Sequence, residues 1–185
     1  MKMGLGFYPH IYTPNNLDFA KQIGVSHVMI HIPDEKMLPS SKEGYWSYED
    51  LKALRQQVES HGLKLEAIEN FQPQHWYKIL TDAPDKQVQM DLVKRTIENM
   101  GKAGIPIMGY NFSLAAVAGR KMLPCARGGA VGPVYDVAED ENFHKPLPNG
   151  FVWGTQVEEA QGDMGEISLE EMWARYDYFM KEILP

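Results

Sequence analysis

The stretch Gly62-Leu63-Lys64-Leu65-Glu66-Ala67-Ile68-Glu69 decides the fold, because it joins a helix stop directly to a buried strand. Glycine fits the left-handed residue that closes a helix, and a short apolar run behind it is typical of a strand in a parallel sheet. Gly24 and Gly104 begin the same arrangement twice more. Together with an apolar run at the start of the chain, the predicted strands cover residues 5–8, 28–32, 65–69 and 106–110.

Helical periodicity fills the intervals between these strands. Apolar residues recur three or four positions apart, and Ser47 with Asp50 and Ser168 with Glu171 are spaced as N-terminal caps. The predicted helices cover residues 16–23, 51–58, 90–100 and 172–183. Strands alternating with helices predict an α/β fold with a parallel sheet. We therefore predict a (β/α)8 TIM-barrel type with about four βα units present, residues 1–185 forming the N-terminal part of a single barrel domain.

One long segment, at about residues 113–166, does not follow this alternation of strands and helices. It is rich in glycine and proline and shows no helical period. Loops of this length inside a compact domain are usually functional or disordered. Tyr135, Phe151 and Trp153 favour an ordered loop, since disordered segments are poor in aromatic residues. Because the segment follows the fourth strand, barrel geometry predicts that it lies on the active-site face.

Composition and charge exclude several classes of function. A net charge of −7 argues against a nucleic-acid surface, which needs clustered Lys and Arg. The sequence has no apolar run long enough to span a membrane, no apolar segment with the cleavage site of a secretion signal, and none of the common zinc, redox or dinucleotide motifs. The single cysteine, Cys125, suits a reducing compartment. We predict a cytoplasmic protein that binds neither nucleic acid nor membranes.

Polar side chains stand where all four predicted strands end. They are Tyr8, His10, His31, Asp34, Glu69, Asn70, Tyr110 and Asn111. Each of these residues alone is equally consistent with a structural hydrogen bond. The carboxyl ends of parallel barrel strands, however, all lie at the same end of the barrel. Polar groups are costly to bury unless they are paired or hydrated, so their recurrence predicts a shared polar cavity. Arg120 and Arg127 of the long segment are candidates for binding an acidic small molecule, because a guanidinium can donate two hydrogen bonds to one carboxylate.

At these same segments the sequence resembles the mannonate dehydratase family of xylose-isomerase-like barrels. The resemblance covers essentially the whole chain, and its most specific part is Tyr110-Asn111-Phe112. The matching stretches are Ala67-Ile68-Glu69-Asn70-Phe71, Gly104-Ile105-Pro106-Ile107-Met108-Gly109-Tyr110-Asn111-Phe112, Ala126-Arg127-Gly128-Gly129-Ala130, Pro148-Asn149-Gly150 and the helix from Glu171 to Pro185.

The resemblance implies a metal-dependent carbon–oxygen lyase of hexuronate catabolism. Such an enzyme converts D-mannonate into 2-keto-3-deoxygluconate and water, with Mn²⁺ or Fe²⁺ as the cofactor of the complete enzyme. A metal ion would stabilise the enediolate left by proton loss beside the carboxylate, and a general acid would help the 3-hydroxyl depart. Glu69 and Tyr110 become candidates for proton handling. The candidates for substrate contact are Tyr8, His10, His31, Asn70, Asn111, Arg120 and Arg127, with Arg127 on the carboxylate.

The sequence departs from the family pattern in one respect. In the family, later strands bring a His-Pro-Asp-Asp-Pro-Pro motif with a histidine ligand, followed by a cysteine, a histidine and an aspartate. None of these follows Pro185, and Cys125 does not match the position of the ligand cysteine. We therefore expect this chain, taken alone, to be an incomplete and inactive half that binds no metal. The alternatives are a sugar isomerase or epimerase on the same scaffold, and a non-catalytic half-barrel that forms a homodimer.

Overall fold

The structure is a computed structural model that describes residues 2–114, 120–139 and 145–184. The chain is divided into two compact units. The first combines Met1–Asn111 with Asp177–Pro185, and the second is Phe112–Tyr176. The predicted sheet lies in the first unit, and the predicted long loop makes up most of the second. The assignment of residues 1–185 to a single barrel domain stays a prediction.

Four parallel strands form the sheet of the first unit. They are β1 (Gly4–Phe7), β2 (His27–His31), β3 (Lys64–Glu69) and β4 (Ile107–Gly109). Their order in the sheet is β1-β2-β3-β4, so each strand pairs with the next one along the chain. Parallel neighbours require a crossover connection, which the helices between them supply. The predicted α/β class with four parallel strands is confirmed.

Helices begin and end largely where the sequence predicts. The α-helices are α1 (Pro14–Gln22), α2 (Tyr48–Ser60), α3 (Pro73–Leu80), α4 (Lys86–Ala103) and α5 (Leu169–Ile183), and short 3-10 helices cover Pro9–Ile11 and Pro39–Glu43. Gly24, Gly62 and Gly104 have φ angles of 90°, 70° and 73°, so the predicted glycine stops are confirmed. None of the described helices is long and apolar enough to cross a membrane.

The predicted caps are also confirmed. The backbone N–H of Asp50 donates to Ser47 Oγ at 3.1 Å at the start of α2. At the start of α5, Glu171 N donates to Ser168 Oγ at 3.1 Å, while Ser168 N donates to Glu171 Oε2 at 2.7 Å. This reciprocal pair satisfies two backbone donors that no helical carbonyl can reach. The hydrogen bonds from Ser168 hold the pKa of Glu171 below its usual value.

The core of the first unit lies between the sheet and its helices. Val28 and Ile30 of β2 and Ile68 of β3 are almost fully buried, as are Leu51 of α2 and Met90 of α4. Fully burying one such side chain stabilises the fold by about 1.5 to 3 kcal/mol. Alternate residues of a strand point to opposite faces of the sheet. The strand residues next to these buried ones therefore lie on the face that the helices do not cover.

Helix α3 was not predicted, and the expected count of four helices is wrong for the described residues. Six of its eight residues are buried, including His75 and Trp76. Its two remaining residues, Gln74 and Lys78, lie one turn apart on a less buried face. A segment of eight residues is nevertheless too short for the 3.6-residue period to be recognised in the sequence. The usable signal was Pro73, since proline is favoured at the first position of a helix.

His75 in α3 makes the stability of the fold sensitive to pH. Its side chain is buried, and Nε2 donates to the carbonyl oxygen of Ser41 at 2.8 Å. Burial lowers the pKa of His75, although the bond to Ser41 opposes this effect. Below about pH 6.5 the unfolded chain takes up a proton that folded His75 resists. The free energy of unfolding should therefore fall as the pH drops below about 6.5, by at most about 1.4 kcal/mol per pH unit.

Urea denaturation between about pH 7 and pH 5 checks this expectation. His75→Gln retains an amide donor for Ser41 and cannot titrate, so its unfolding free energy should depend less steeply on pH than that of the wild type. The carboxyl groups whose pKa is lowered, such as Glu171, lose their stabilising contribution only at more acidic pH. His61→Gln is the control, and equal slopes in wild type and His75→Gln would contradict the assignment.

Two short antiparallel hairpins organise the second unit. One pairs β5 (Lys121–Leu123) with β6 (Gly132–Val134), and the other pairs β7 (Phe151–Val152) with β8 (Thr155–Gln156). Single 3-10 turns cover Arg127–Gly129 and Val137–Glu139. The described part of the predicted loop holds no α-helix before α5, as expected, but strands of two or three residues were too short to predict. Residues 115–119 and 140–144 lie outside the described residues.

Candidate functional site

His31 and Glu69 form a histidine–carboxylate pair at the carboxyl ends of β2 and β3. They occupy the same level in the parallel register, one residue after the buried pair Ile30 and Ile68. Because strand residues alternate between faces, both side chains leave the sheet on the side opposite the helices. His31 Nδ1 lies 3.0 Å from Glu69 Oε2, and the side chains are 17% and 38% exposed. An imidazole and a carboxylate are both groups that can take up and release a proton.

Tyr8 and His10 lie beside this pair. The Tyr8 ring centroid is 4.4 Å from that of His31, with an interplanar angle of 65°. His10 follows in the 3-10 turn Pro9–Ile11, with its ring 5.9 Å from Tyr8. Tyr8 is 48% exposed, so this cluster is open to solvent on one side. The structure thus brings together Tyr8, His31 and Glu69, which the sequence placed at three separate strand ends.

A residue with left-handed backbone follows each member of this histidine–carboxylate pair. Ile32 has φ 44° and its N–H donates to Glu69 O at 2.8 Å, whereas Asn70 has φ 67° and its N–H donates to Gly109 O at 2.8 Å. Such conformations cost about 1 to 3 kcal/mol and cluster at functional sites. Asparagine tolerates this region, but a β-branched residue such as isoleucine does not. No sequence pattern pointed to Ile32, and the strain at this residue marks the site independently of the polar groups.

Gly109 makes room for Glu69. It ends β4 at the level of Glu69, and a Cβ atom there would lie 3.2 Å from Glu69 Cγ. That separation is tighter than an ordinary van der Waals contact, so a larger residue would displace the carboxylate. Sequence reasoning missed this role, although a glycine inside a strand is a known sign of close approach.

Asn70 and Asn111 occupy different environments. Asn70 is only 7% exposed, and among the described residues its Oδ1 atom is buried without a hydrogen-bond partner. Asn111 is half-buried, two residues beyond β4. An orphaned buried amide oxygen is destabilising by about 1 to 3 kcal/mol. Together with its left-handed backbone, this makes Asn70 a second strained position next to Glu69.

Tyr110 follows β4, and its side chain packs against helices. Its ring centroid is 6.4 Å from that of Trp76 in α3 and 5.5 Å from that of Phe179 in α5. Its hydroxyl donates to Met180 Sδ at 3.2 Å. These contacts give Tyr110 a structural role in the aromatic core. Its predicted part in proton handling stays a prediction.

Arg120 and Arg127 belong to the second unit, where both are exposed. Arg127 begins the 3-10 turn before β6. The same unit contains a cleft of about 680 Å³ whose wall includes Phe112, Lys145 and Glu166. The cleft is large enough for a small molecule. The predicted contacts of the two arginines with a substrate carboxylate stay predictions.

The described residues do not fit a divalent metal by themselves. Among residues 2–114, 120–139 and 145–184, no three His, Cys, Asp or Glu side chains converge as a ligand group. His31 and Glu69 supply only two groups, and they bind each other. Manganese and iron sites need more ligands than a pair of side chains offers.

Comparison with known protein sequences matches this chain to mannonate dehydratases. The family model D-mannonate dehydratase (UxuA) matches residues 1–127. The mannonate dehydratase of Streptococcus equi subsp. zooepidemicus is 30% identical over 200 residues, covering 100% of this chain and 51% of that protein. Mannonate dehydratase 1 of Bacillus licheniformis is 27% identical, covering 100% of this chain and 53% of that protein.

A solved structure shows the same fold. The crystal structure of mannonate dehydratase from Streptococcus suis serotype 2 superimposes with a TM-score of 0.67 at 24% identity, covering 100% of this chain and 50% of that one. The chain spans about half the length of the curated relatives it matches. The predicted resemblance is confirmed by the match over residues 1–127, and the chain belongs to the D-mannonate dehydratase family.

Proposed function

We propose that this chain supplies the N-terminal part of a hydro-lyase that removes water from D-mannonate to give 2-keto-3-deoxygluconate. The family match over residues 1–127 carries the proposal. The cluster of Tyr8, His31 and Glu69 supports it, because dehydration beside a carboxylate needs a group that can take a proton and return it. The substrate partner is a small sugar acid.

In this reaction the chain's residues bind the substrate and move a proton. The Arg127 guanidinium binds the carboxylate, for which its planar donors are suited. The His31–Glu69 pair holds the proton, and Tyr8 covers the imidazole on one side. We further propose manganese or iron as the cofactor of the complete enzyme, with ligands outside the described residues. The site of action is the cytoplasm, as the single cysteine favours.

The isolated chain should neither bind manganese tightly nor dehydrate mannonate. Its described residues form no three-ligand group, and the match leaves about half of each relative uncovered. Calorimetric titration with manganese should show no tight, stoichiometric binding, and incubation with D-mannonate should yield no 2-keto acid. Stoichiometric manganese binding by the chain alone would contradict this expectation.

A joined protein tests the proposed activity directly. Residues 1–185 followed by the uncovered second half of the Streptococcus equi relative should produce a 2-keto acid from D-mannonate when manganese is present. The second half alone is the control and should be inactive. Conversion of an aldose to a ketose by the joined protein, without dehydration of mannonate, would instead indicate an isomerase.

A further inference from the structure

We propose that two copies of this chain associate through their second units, with the basic hairpin of each copy binding the acidic segment of the other. The basic hairpin is residues 120–134, which contain β5 and β6, and the acidic segment is residues 157–173, which reach into the start of α5. Both lie wholly within the second unit. The association does not depend on the proposed reaction.

The basic hairpin is exposed over nearly its whole length. Every residue from 120 to 131 is exposed, and so is each residue of β5. Met122 and Pro133 are directly opposite each other in the register, so they lie on one face of the hairpin. Met122 is 65% exposed on that face. Because a two-stranded hairpin is at best marginally stable in water unless it packs against something, we expect this face to be covered.

The acidic segment also presents large apolar side chains to solvent. Leu169 and Trp173 are 68% and 61% exposed. They are four positions apart in α5, so they lie on the same side of that helix. Exposed apolar groups bordered by charged residues are typical of surfaces that bind another protein. The acidic segment thus has the same general character as the basic hairpin, with the opposite charge.

The charges of the two segments are complementary. The basic hairpin contains three basic and no acidic residues, whereas the acidic segment contains six acidic and no basic residues. All nine are exposed. Within the part of the chain that the structure describes, Arg120, Glu159 and Glu166 have no ion pair. The nine residues are Arg120, Lys121 and Arg127 in the hairpin, and Glu158, Glu159, Asp163, Glu166, Glu170 and Glu171 in the acidic segment.

A second copy of the chain is the partner that satisfies both segments at once. Because each chain carries one basic and one acidic surface, two chains can form two identical contacts related by a twofold axis. A nucleic acid would meet the basic hairpin but would be repelled by the acidic segment and by the net charge of −7. Complementary charges also fix the register in which two surfaces meet.

Charge reversal on each surface tests the pairing. Arg120→Glu with Lys121→Glu reverses the basic hairpin, and Glu159→Lys with Glu166→Lys reverses the acidic segment. In sedimentation velocity over a concentration series, we expect the wild type to dimerise and each double variant alone to associate at least about 10-fold more weakly, because like charges then face each other. Arg127 is left unchanged, since it is assigned to the substrate carboxylate.

An equal mixture of the two double variants should dimerise again, because opposite charges then meet at both contacts. The mixture has the same total charge as two wild-type chains, so a change in overall repulsion does not account for this recovery. A wild type that stays monomeric at every concentration would overturn the inference. Dimers that persist in each double variant alone, or a mixture that stays monomeric, would overturn it as well.

Lys36→Glu with Lys42→Glu is the matched control for the hairpin variant. Both lysines are exposed and belong to the first unit. This control changes the net charge by the same amount as the hairpin variant, and we expect it to dimerise like the wild type. Equal weakening in the control and the hairpin variant would show that net charge alone governs association and would overturn the inference.

Hydrogen exchange followed by mass spectrometry locates the contact in the wild-type chain without any substitution. The amides of residues 120–134 and 157–173 should exchange more slowly as the protein concentration rises, because dimer formation covers them. The amides of β1 and β4 should exchange at a constant rate. Exchange in residues 120–134 and 157–173 that does not depend on concentration would overturn the inference, even if the chain dimerised through β1 and β4.

Discussion

Trp76→Ala is expected to destabilise the chain by about 3 to 5 kcal/mol, the range found when a large aromatic side chain is removed from a core. Trp76 is fully buried in α3, and its ring centroid lies 5.5 Å from that of Phe71 and 5.9 Å from that of Phe179. Its truncation would leave a cavity between α3, the end of β3 and α5. Urea denaturation followed by circular dichroism measures the loss, as a lower midpoint with an unchanged slope.

Trp173→Ala is the matched control for this prediction. Trp173 lies in α5 and is 61% exposed. Surface substitutions of this kind usually change stability by no more than about 0.5 kcal/mol. If Trp76→Ala and Trp173→Ala lowered the unfolding free energy equally, the assignment of α3 to the core would be wrong.

Gly150→Ala should disrupt the turn before β7, with an expected cost of about 2 to 4 kcal/mol from left-handed strain and steric overlap. Gly150 has φ 74°, and a Cβ atom there would overlap the carbonyl oxygen of Glu158. A backbone atom cannot move aside as a flexible side chain can. The hydrogen bond from Val157 N to Gly150 O, 2.7 Å long, follows the last pair of the β7–β8 hairpin and depends on the position of Gly150. Amide hydrogen exchange at Val157 should become markedly faster in the variant.

Gly154→Ala separates the two contributions. Gly154 has φ 73°, close to that of Gly150, but nothing lies within 4 Å of a Cβ atom built there. The substitution should therefore cost only the backbone strain, about 1 to 2 kcal/mol. Equal acceleration of exchange at Val157 in both variants would show that the overlap with Glu158 contributes nothing.

The elements that could be predicted are those whose signals are local. A glycine such as Gly62 marks a helix stop by its own backbone freedom, and the apolar run behind it marks the strand. Helix α3 has only eight residues, too few for its helical period to be recognised, and Pro73 alone marks its start. The hairpins of the second unit were missed for a different reason, since strands of two or three residues are too short to show alternation.

The candidate site was predictable in position and not in detail. Strand ends are a consequence of the fold, so Tyr8, His31 and Glu69 could be placed at one edge from the sequence. Which nitrogen of His31 meets the carboxylate depends on side-chain torsions and on the register of β2 and β3. The direction of Tyr110 depends on α3 and α5, which are distant along the chain.

The two outer strands of the first sheet have a practical consequence for solution measurements. Among the described strands, β1 and β4 each have one neighbour, so each presents a row of unpaired amide and carbonyl groups. Leu5 and Ile107 on these strands are 38% and 49% exposed. Edge strands of this kind readily pair with a strand of another polypeptide. Melting temperatures of this chain should consequently be compared only at matched protein concentration, because any association through these borders adds to the apparent stability.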